Sequence, residues 1–275
     1  MIYAAESQCH QCKSGGDKGD EFEREKIDSV MTKKEKQPRS LSEEAYDRLE
    51  SMIVSTELLP GARYTIQQLQ QQSGLGRTPV HDAVKRLSAN QLIHVSPRSG
   101  LRIAPVNLAQ ERTLLPLRME MEAIACGLAS ERATPQDHKI LRTFITDLEA
   151  SKADLSLERF NVTDRLLNRA ILTASGEPLL ANTLIPLQTL YRRTGWIYHT
   201  YLGPGAPMET TIESHISLLR HIVSGDRGRT EIFIRKMMEE LGDMLLKVRQ
   251  SVDPALLDVS LADMAVRTGV AGPIN

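Results

Sequence analysis

Cationic side chains gather in one short stretch of an otherwise balanced chain. The 275 residues carry 34 Lys and Arg against 35 Asp and Glu. Between Leu75 and Arg102, five cationic side chains accompany a single acid, Asp82, which gives this stretch a net charge of +4. The five are Arg77, Lys85, Arg86, Arg98 and Arg102. A local patch can bind phosphate whatever the total charge of the chain. The stretch therefore predicts contact with a nucleic acid.

The spacing of these residues is typical of a recognition helix and a basic hairpin tip. Arg77 and His81 lie one helical turn apart, and Lys85 continues the same face. An arginine can bind guanine O6 and N7 with two hydrogen bonds, whereas His81 can make one such contact or meet a phosphate. Ordinary solvated helix charges are the alternative interpretation. The predicted DNA-binding residues are Arg77, Thr78, His81, Lys85, Arg86, Arg98 and Gly100.

The elements that would position these residues follow from hydrophobic periodicity and capping signals. Thr65 and Gln68 form a capping box at the start of a second helix, and Pro79 suits the first turn of a third. The predicted elements are helices from residue 42 to before Leu59, from Thr65 to Ser73 and from Gly76 to Asn90, then strands over 92–96 and 101–104. Three helices followed by a hairpin predict a winged helix-turn-helix.

The rest of the chain shows helical periodicity with no convincing strand, which predicts an all-α bundle and a mainly α protein. The predicted helices span 108–132, 136–151, 155–174, 178–202, 209–224 and 228–250. We expect a flexible extension over 1–37, a DNA-binding domain over 38–105, an all-helical effector-binding and dimerisation domain over 108–250, and a tail over 251–275.

The composition also predicts what the chain is not. No apolar run reaches the roughly 18 residues of a membrane span, and the N-terminus does not have the pattern of a secretory signal, which favours the cytoplasm. Cys126 lies in an apolar helical pattern, where a reduced, buried thiol is expected. A nucleophile elbow, a P-loop and a dinucleotide fingerprint are all missing from the sequence.

A second group of polar residues interrupts apolar helix faces. Asp164 and Asn168 border the apolar stripe of the 155–174 helix, and His215 interrupts the stripe of the 209–224 helix. A buried polar group without a partner costs roughly 1–3 kcal/mol. These residues therefore either bond to one another across three helices or line an effector pocket.

Aromatic residues cluster on the 178–202 helix beside two arginines. Tyr191, Trp196, Tyr198 and Tyr201 fall within eleven residues, although aromatics make up only 4% of the chain. Core packing is the default explanation of such a cluster. Trp196 and Tyr198 are also candidates to bound a ligand, and Arg192 or Arg193 could pair with a carboxylate.

The N-terminal pattern resembles the DNA-binding domain of GntR-type bacterial transcription regulators. The resemblance rests on Tyr46-x-x-Leu49-x-x-x-Ile53, Leu58-x-Pro60-Gly61, Arg77-Thr78-Pro79-Val80, Leu87 and Leu92-Ile93. Thr56 and Gln91 stand where that family commonly has glycine. The resemblance implies a winged helix that binds double-stranded DNA.

The segment from Arg118-x-x-x-Glu122-Ala123 resembles the opening of the FCD ligand-binding domain of the FadR-like branch. That resemblance implies a metal or effector cavity lined at positions held here by Asp164, Asn168, His215 and Met237. Asn168 and Met237 replace expected histidines and are poor ligands for Zn²⁺, Ni²⁺ or Mn²⁺. We therefore expect at most a weakly bound divalent metal at Asp164 and His215. The predicted effector-binding residues are Arg118, Asp164, Asn168, His215, Trp196 and Tyr198.

These observations favour a ligand-responsive transcription regulator, a repressor or an activator, that binds a palindromic operator as a homodimer. The resemblance implies a small organic acid as effector. One alternative is a constitutive DNA-binding protein whose helical domain only dimerises. Another is a metal-dependent enzyme that uses Asp164 and His215, although we predict that the chain is not an enzyme.

Overall fold

A computed structural model of the chain describes residues 40–96, 100–203 and 207–261. The predicted extension over 1–37, the hairpin tip with Arg98 and the last residues of the tail lie outside this part. Within it, every helix is too short or too polar to cross a lipid bilayer.

The N-terminal region is a winged helix-turn-helix, as the sequence predicts. Its helices are α1 (Leu41–Val54), α2 (Ile66–Ser73) and α3 (Arg77–Ala89), and its strands are β1 (Arg63–Tyr64), β2 (Ile93–Ser96) and β3 (Gly100–Ile103). The strands form an antiparallel sheet in the order β1, β3, β2. The strand β1 is not predictable from the sequence, because two residues are too few to show an alternating pattern.

Local signals explain where these helices begin and end. Ser40 and Glu43 form a capping box at the start of α1, and Thr65 and Gln68 form one at the start of α2. The helix α2 ends at Gly74, whose φ of 68° is the left-handed conformation that glycine adopts without strain. The buried faces of the three helices pack on one core with Ile93 and Ile103 of the sheet.

The C-terminal region is an all-α bundle whose helices match the predicted spans to within two residues. They are α4 (Leu108–Arg132), α5 (Pro135–Ser151), α6 (Leu157–Ser175), α7 (Pro178–Leu202), α8 (Met208–Ser224) and α9 (Arg227–Ser251). The long helix α4 packs against both α9 and α6, and α7 contacts α1 of the winged helix as well as its own bundle. Cys126 is a free, buried thiol in α4, as predicted.

The two regions are joined by a linker whose carbonyl groups are held by α7. Arg193 donates hydrogen bonds to the carbonyl oxygens of Ala104 and Pro105 at 2.7 and 2.9 Å. Its side chain is fully buried, and burial lowers the pKa of Arg193 to about 10, against the charge of Glu111. The linker is therefore fixed to the bundle by a charged side chain.

The C-terminal segment packs on the winged helix. After the short helix α10 (Pro254–Leu257), Asp258 is extended rather than helical, so α10 ends at Leu257. Arg102 donates to both carboxylate oxygens of Asp258 at 3.0 Å. A Cβ at Gly61 would lie 1.9 Å from Asp258 Oδ1, so glycine is required at this contact.

Candidate functional site

The cationic face of α3 is exposed to solvent, as the sequence predicts. Arg77, Thr78, His81 and Lys85 are exposed, while the opposite face packs on the core through Val80, Ala83, Val84 and Leu87. Lys85 lies 3.7 Å from Asp82 on the same helix. The first turn of α3 therefore presents an arginine, a hydroxyl and an imidazole together, which are the groups that read base edges and bind phosphates.

The other predicted DNA-binding residues have different surroundings. Arg86 is exposed, and its guanidinium lies 4.2 Å from the ring centre of Tyr46. Gly100 is exposed at the start of β3 with a φ of 80°, and Arg98 lies outside the described residues. Arg102, which contributes to the charge of the stretch, is bonded to the C-terminal segment instead.

A cavity of about 490 Å³ lies inside the helical bundle. It is bounded by side chains from five helices and by Pro207. All six predicted effector-binding residues line the cavity, and Met237 lines it as well. The six are Arg118, Asp164, Asn168, Trp196, Tyr198 and His215. A volume of this size suits a small organic molecule.

Asp164 is the centre of a polar network on the cavity wall. His215 Nε2 lies 3.1 Å from Asp164 Oδ1, and the amide of Asn168 donates to the same oxygen at 3.0 Å. His215 Nδ1 lies 2.7 Å from the carbonyl oxygen of Thr211, and its ring meets the edge of Phe160 at 5.2 Å between centres. The three residues thus bond to one another across two helices, α6 and α8, rather than three, and they also line the cavity.

The network favours the charged forms of both its acid and its base. Burial opposes ionisation of Asp164, but the hydrogen bond and charge of His215 and the charges of Arg192 and Arg118 lower the pKa of Asp164 below its usual value. Burial likewise opposes protonation of His215, yet the hydrogen bond and charge of Asp164 raise the pKa of His215. Each partner therefore favours the charged form of the other.

Arg118 forms a second charged wall of the cavity. Its Nε and Nη2 atoms each lie 3.2 Å from Glu122 Oε1, and its guanidinium lies 4.6 Å from the ring centre of Tyr191. Gln188 donates to the same carboxylate at 3.1 Å. This arginine is therefore held by an acid and an aromatic face.

Arg192 is a site residue that the sequence alone does not distinguish from its neighbour Arg193. It lines the cavity, and its Nε atom donates to Asn161 Oδ1 at 3.2 Å. Arg193, in contrast, binds the linker carbonyls outside the cavity. In the sequence, both arginines follow the aromatic Tyr191, and this position alone does not indicate which of the two lines the cavity.

The donor set around Asp164 and His215 does not fit a tightly bound divalent metal. His215 Nε2 and Asp164 Oδ1 are within hydrogen-bonding distance of each other, and Asn168 directs its amide nitrogen, a donor of hydrogen, at the same oxygen. Across residues 40–96, 100–203 and 207–261, no group of three or more His, Cys, Asp and Glu side chains is placed to hold a metal ion. The thioether of Met237 suits a soft ion such as Cu(I) rather than Zn²⁺, Ni²⁺ or Mn²⁺.

An exposed cationic third helix in a winged helix, joined to a bundle whose internal cavity has a polar network on its wall, defines a ligand-responsive DNA-binding regulator. Comparisons with known proteins agree. Residues 41–103 match the family of bacterial regulatory proteins named gntR, and residues 113–240 match the FCD domain. The two matches together cover more than half of the chain, which belongs to the gntR family of transcription regulators and carries an FCD domain. It is a regulator and not an enzyme.

Similar proteins support this assignment over most of the chain. The sequence is 26% identical to the HTH-type transcriptional regulator McbR of Escherichia coli strain K12, over 73% of this chain and 90% of McbR. The solved structure of E. coli McbR/YncC matches with a TM-score of 0.66 at 25% identity, over 76% of this chain and 99% of that one. The Nta operon transcriptional regulator of Aminobacter aminovorans is 28% identical, over 53% of this chain and 69% of its own length.

Proposed function

We propose that the protein regulates transcription as a homodimer, binds a palindromic operator with α3 and the wing, and responds to an organic acid in the cavity. The single observation that carries the effector part is that Arg118, Arg192 and His215 all line the same cavity. Arg118 and His215 pair with the cavity acids Glu122 and Asp164, whereas Arg192 stays 3.7 Å from the carboxylate oxygens nearest to it. A carboxylate, which accepts two parallel hydrogen bonds from a guanidinium, suits Arg192.

The operator-binding residues of the proposal are those on the exposed face of α3 and at the wing. Arg77 is the candidate for base recognition, with Thr78, His81, Lys85, Arg86, Arg98 and Gly100 contacting bases or the phosphate backbone. Two recognition helices about one duplex turn apart would read the two halves of a palindrome. Such a protein acts in the cytoplasm, where bacterial DNA is present.

An exposed apolar face on the bundle supports the homodimer. Leu117 and Ile124 lie two turns apart on α4 and are 53% and 44% exposed, and Leu179 at the start of α7 is 81% exposed. Large apolar side chains on one exposed helix face, such as Leu117 and Ile124, favour association with a partner. A second copy of the chain would cover them.

A gel-shift titration tests the proposal. The probe is a duplex selected in vitro from a random library by the purified protein, and acetate, butanoate, succinate and phenylacetate are added in turn. We expect at least one acid to change the affinity for the duplex. A response to none of them would favour the constitutive DNA-binding protein over the regulated one, and duplexes without a palindrome would contradict the dimeric arrangement.

A further inference from the structure

One side chain touches both the cavity and the DNA-binding domain. Arg192 Nε lies 3.7 Å from Asp164 Oδ2 on the cavity wall, and Arg192 Nη1 lies 3.7 Å from Glu50 Oε1 on α1. The side chain of Arg192 is only 10% exposed. A single guanidinium therefore links an acid of the effector domain to an acid of the winged helix.

Glu50 depends on the effector domain for its partners. Its side chain is 1% exposed, and the hydroxyl of Thr189 on α7 donates to its Oε1 atom at 2.6 Å. Arg165 of α6 approaches its Oε2 atom at 3.9 Å. A buried carboxylate that loses its cationic partners is strongly destabilised, so the attachment of α1 to the bundle is sensitive to the position of Arg192.

Acidic and basic side chains of both domains form one charged cluster at this contact. Its acids are Asp47, Glu50 and Asp164, its cations are Arg165, Arg169 and Arg192, and His215 lies beside Asp164. A displacement of Arg192 therefore changes the partners of both Glu50 and Asp164.

Of the two arginines that line the cavity, Arg192 is the one whose hydrogen-bonding capacity is less engaged by carboxylates. Arg118 is within 3.2 Å of Glu122 through two nitrogen atoms, whereas both acids near Arg192 lie at 3.7 Å, beyond direct hydrogen-bonding distance. A guanidinium has five N–H donors in a planar fork that matches a carboxylate. A ligand carboxylate can therefore bind it more closely than Asp164 or Glu50 does.

We propose that Arg192 binds the effector carboxylate and acts as its receptor. The effector competes with Glu50 for the guanidinium of Arg192 and so loosens the attachment of α1 to the bundle. The proposal rests on the organic-acid effector proposed above and adds the residue that binds it. Two arrangements of the protein are involved: in one Arg192 contacts Glu50, and in the other it does not. The effector binds more tightly to the second, and this difference in affinity shifts the protein toward it. The shift loosens α1 and so changes DNA binding.

A binding experiment tests the receptor. Thermal-shift titrations of the full chain use acetate, butanoate, succinate and phenylacetate, each beside its uncharged amide. We expect a carboxylate, but not its amide, to stabilise the protein, and Arg192→Met to weaken that binding about 10- to 100-fold, the range for a lost hydrogen bond to a charged group. Arg192→Lys keeps the charge without the fork and should fall between the two.

Arg169→Gln is the matched control. Arg169 also bridges to α1, through Asp47 at 2.8 Å, but does not line the cavity. It should loosen the contact between the domains and leave carboxylate affinity within about threefold of the wild type, a change of less than 1 kcal/mol. If Arg169→Gln weakens binding as much as Arg192→Met, general disturbance of the interface explains both, and the receptor assignment is overturned.

Hydrogen exchange of the α1 amides tests the competition. Glu50→Gln should increase exchange in α1 without ligand, and a bound carboxylate should increase it in the wild type but add little in Glu50→Gln. If no carboxylate binds the wild type, the organic-acid effector fails and the inference with it. If one binds equally well to Arg192→Met, or binds without changing exchange in α1, the effector proposal stands and this inference fails.

Discussion

A carboxyl group buried beside the interdomain linker should make stability depend on pH. Glu111, in the first turn of α4, is 2% exposed, and Thr194 donates to its Oε2 atom at 2.7 Å. Burial raises the pKa of Glu111 to about 7, although the Thr194 hydrogen bond and the charges of Arg193 and Arg118 oppose the change. The folded protein therefore keeps a proton on this residue that the unfolded chain releases near its usual pKa of 4.5.

The sign and size of the effect follow from proton linkage. Between the pKa of Glu111 in the unfolded chain and its raised pKa in the folded protein, the folded state binds more protons than the unfolded state. The stabilisation is therefore fully present below the unfolded pKa and is lost as the pH rises through the folded pKa. The two pKa values differ by about 2.5, and each pKa unit corresponds to 1.36 kcal/mol, so the loss is about 3 kcal/mol. Above about pH 7 the carboxylate is buried at this cost.

Urea unfolding of the wild type and Glu111→Gln at about pH 5 and about pH 8 measures the effect. Glutamine has no charge to lose and keeps an oxygen that can accept from Thr194. We expect the free energy of unfolding of the wild type to fall by about 2.5 kcal/mol more than that of the variant between the two pH values, because part of the loss occurs below about pH 5. The comparison between pH values matters, because the substitution also changes the stability at any single pH.

Glu120→Gln on the same helix is the control. The hydrogen bond from Arg235 lowers the pKa of Glu120, so its titration lies below the measured range and its removal should leave the pH dependence unchanged. His215, whose pKa is raised, titrates in both the wild type and the Glu111 variant and cancels in the comparison. Parallel pH profiles for the wild type and Glu111→Gln would refute the assignment of a raised pKa to Glu111.

Two further predictions concern the winged helix. Arg77→Ala should weaken operator binding by about 1–3 kcal/mol and relax specificity at one base position, which gel shifts with single-base variants of the operator measure. Lys139 is an exposed charge on α5, and Lys139→Ala should change neither the affinity nor the specificity. An unchanged operator affinity for Arg77→Ala would mean that the recognition surface lies elsewhere. Thr56→Gly should raise the free energy of unfolding by about 0.5–1 kcal/mol, because threonine at a φ of 58° is strained by more than the added freedom of glycine costs. Ser55→Gly, at a φ of −74°, should lower it, and a loss of stability in both would contradict this account.

The helices were predictable because each carries its signals within a few residues. Capping residues such as Thr65 and Thr134 mark helix starts, and Gly74 and Gly176 mark ends, and these signals act through the nearest backbone groups. Periodic apolar positions then assign a buried face to each helix. This information is local, so a single sequence contains it.

Contacts between distant parts of the chain were not predictable in this way. Arg102 counted as a DNA-facing cation in the sequence, yet it bonds to Asp258, 156 residues further along. The pairing of Glu50 with Thr189 spans 139 residues. Charge type and spacing say that such residues need partners, but which partner each one meets is decided by how the helices pack.

Arg192 and Arg193 show where spacing stops being informative about the site. The two are adjacent and identical in type, but one residue step turns an α-helix by about 100°, so their side chains leave α7 in different directions. The structure places Arg192 on the cavity wall and Arg193 against the linker carbonyls. The helix α7 therefore contacts both the effector site and the linker, through two adjacent residues. Movement of α7 on ligand binding would act on the DNA-binding domain through Glu50 and through the linker at once.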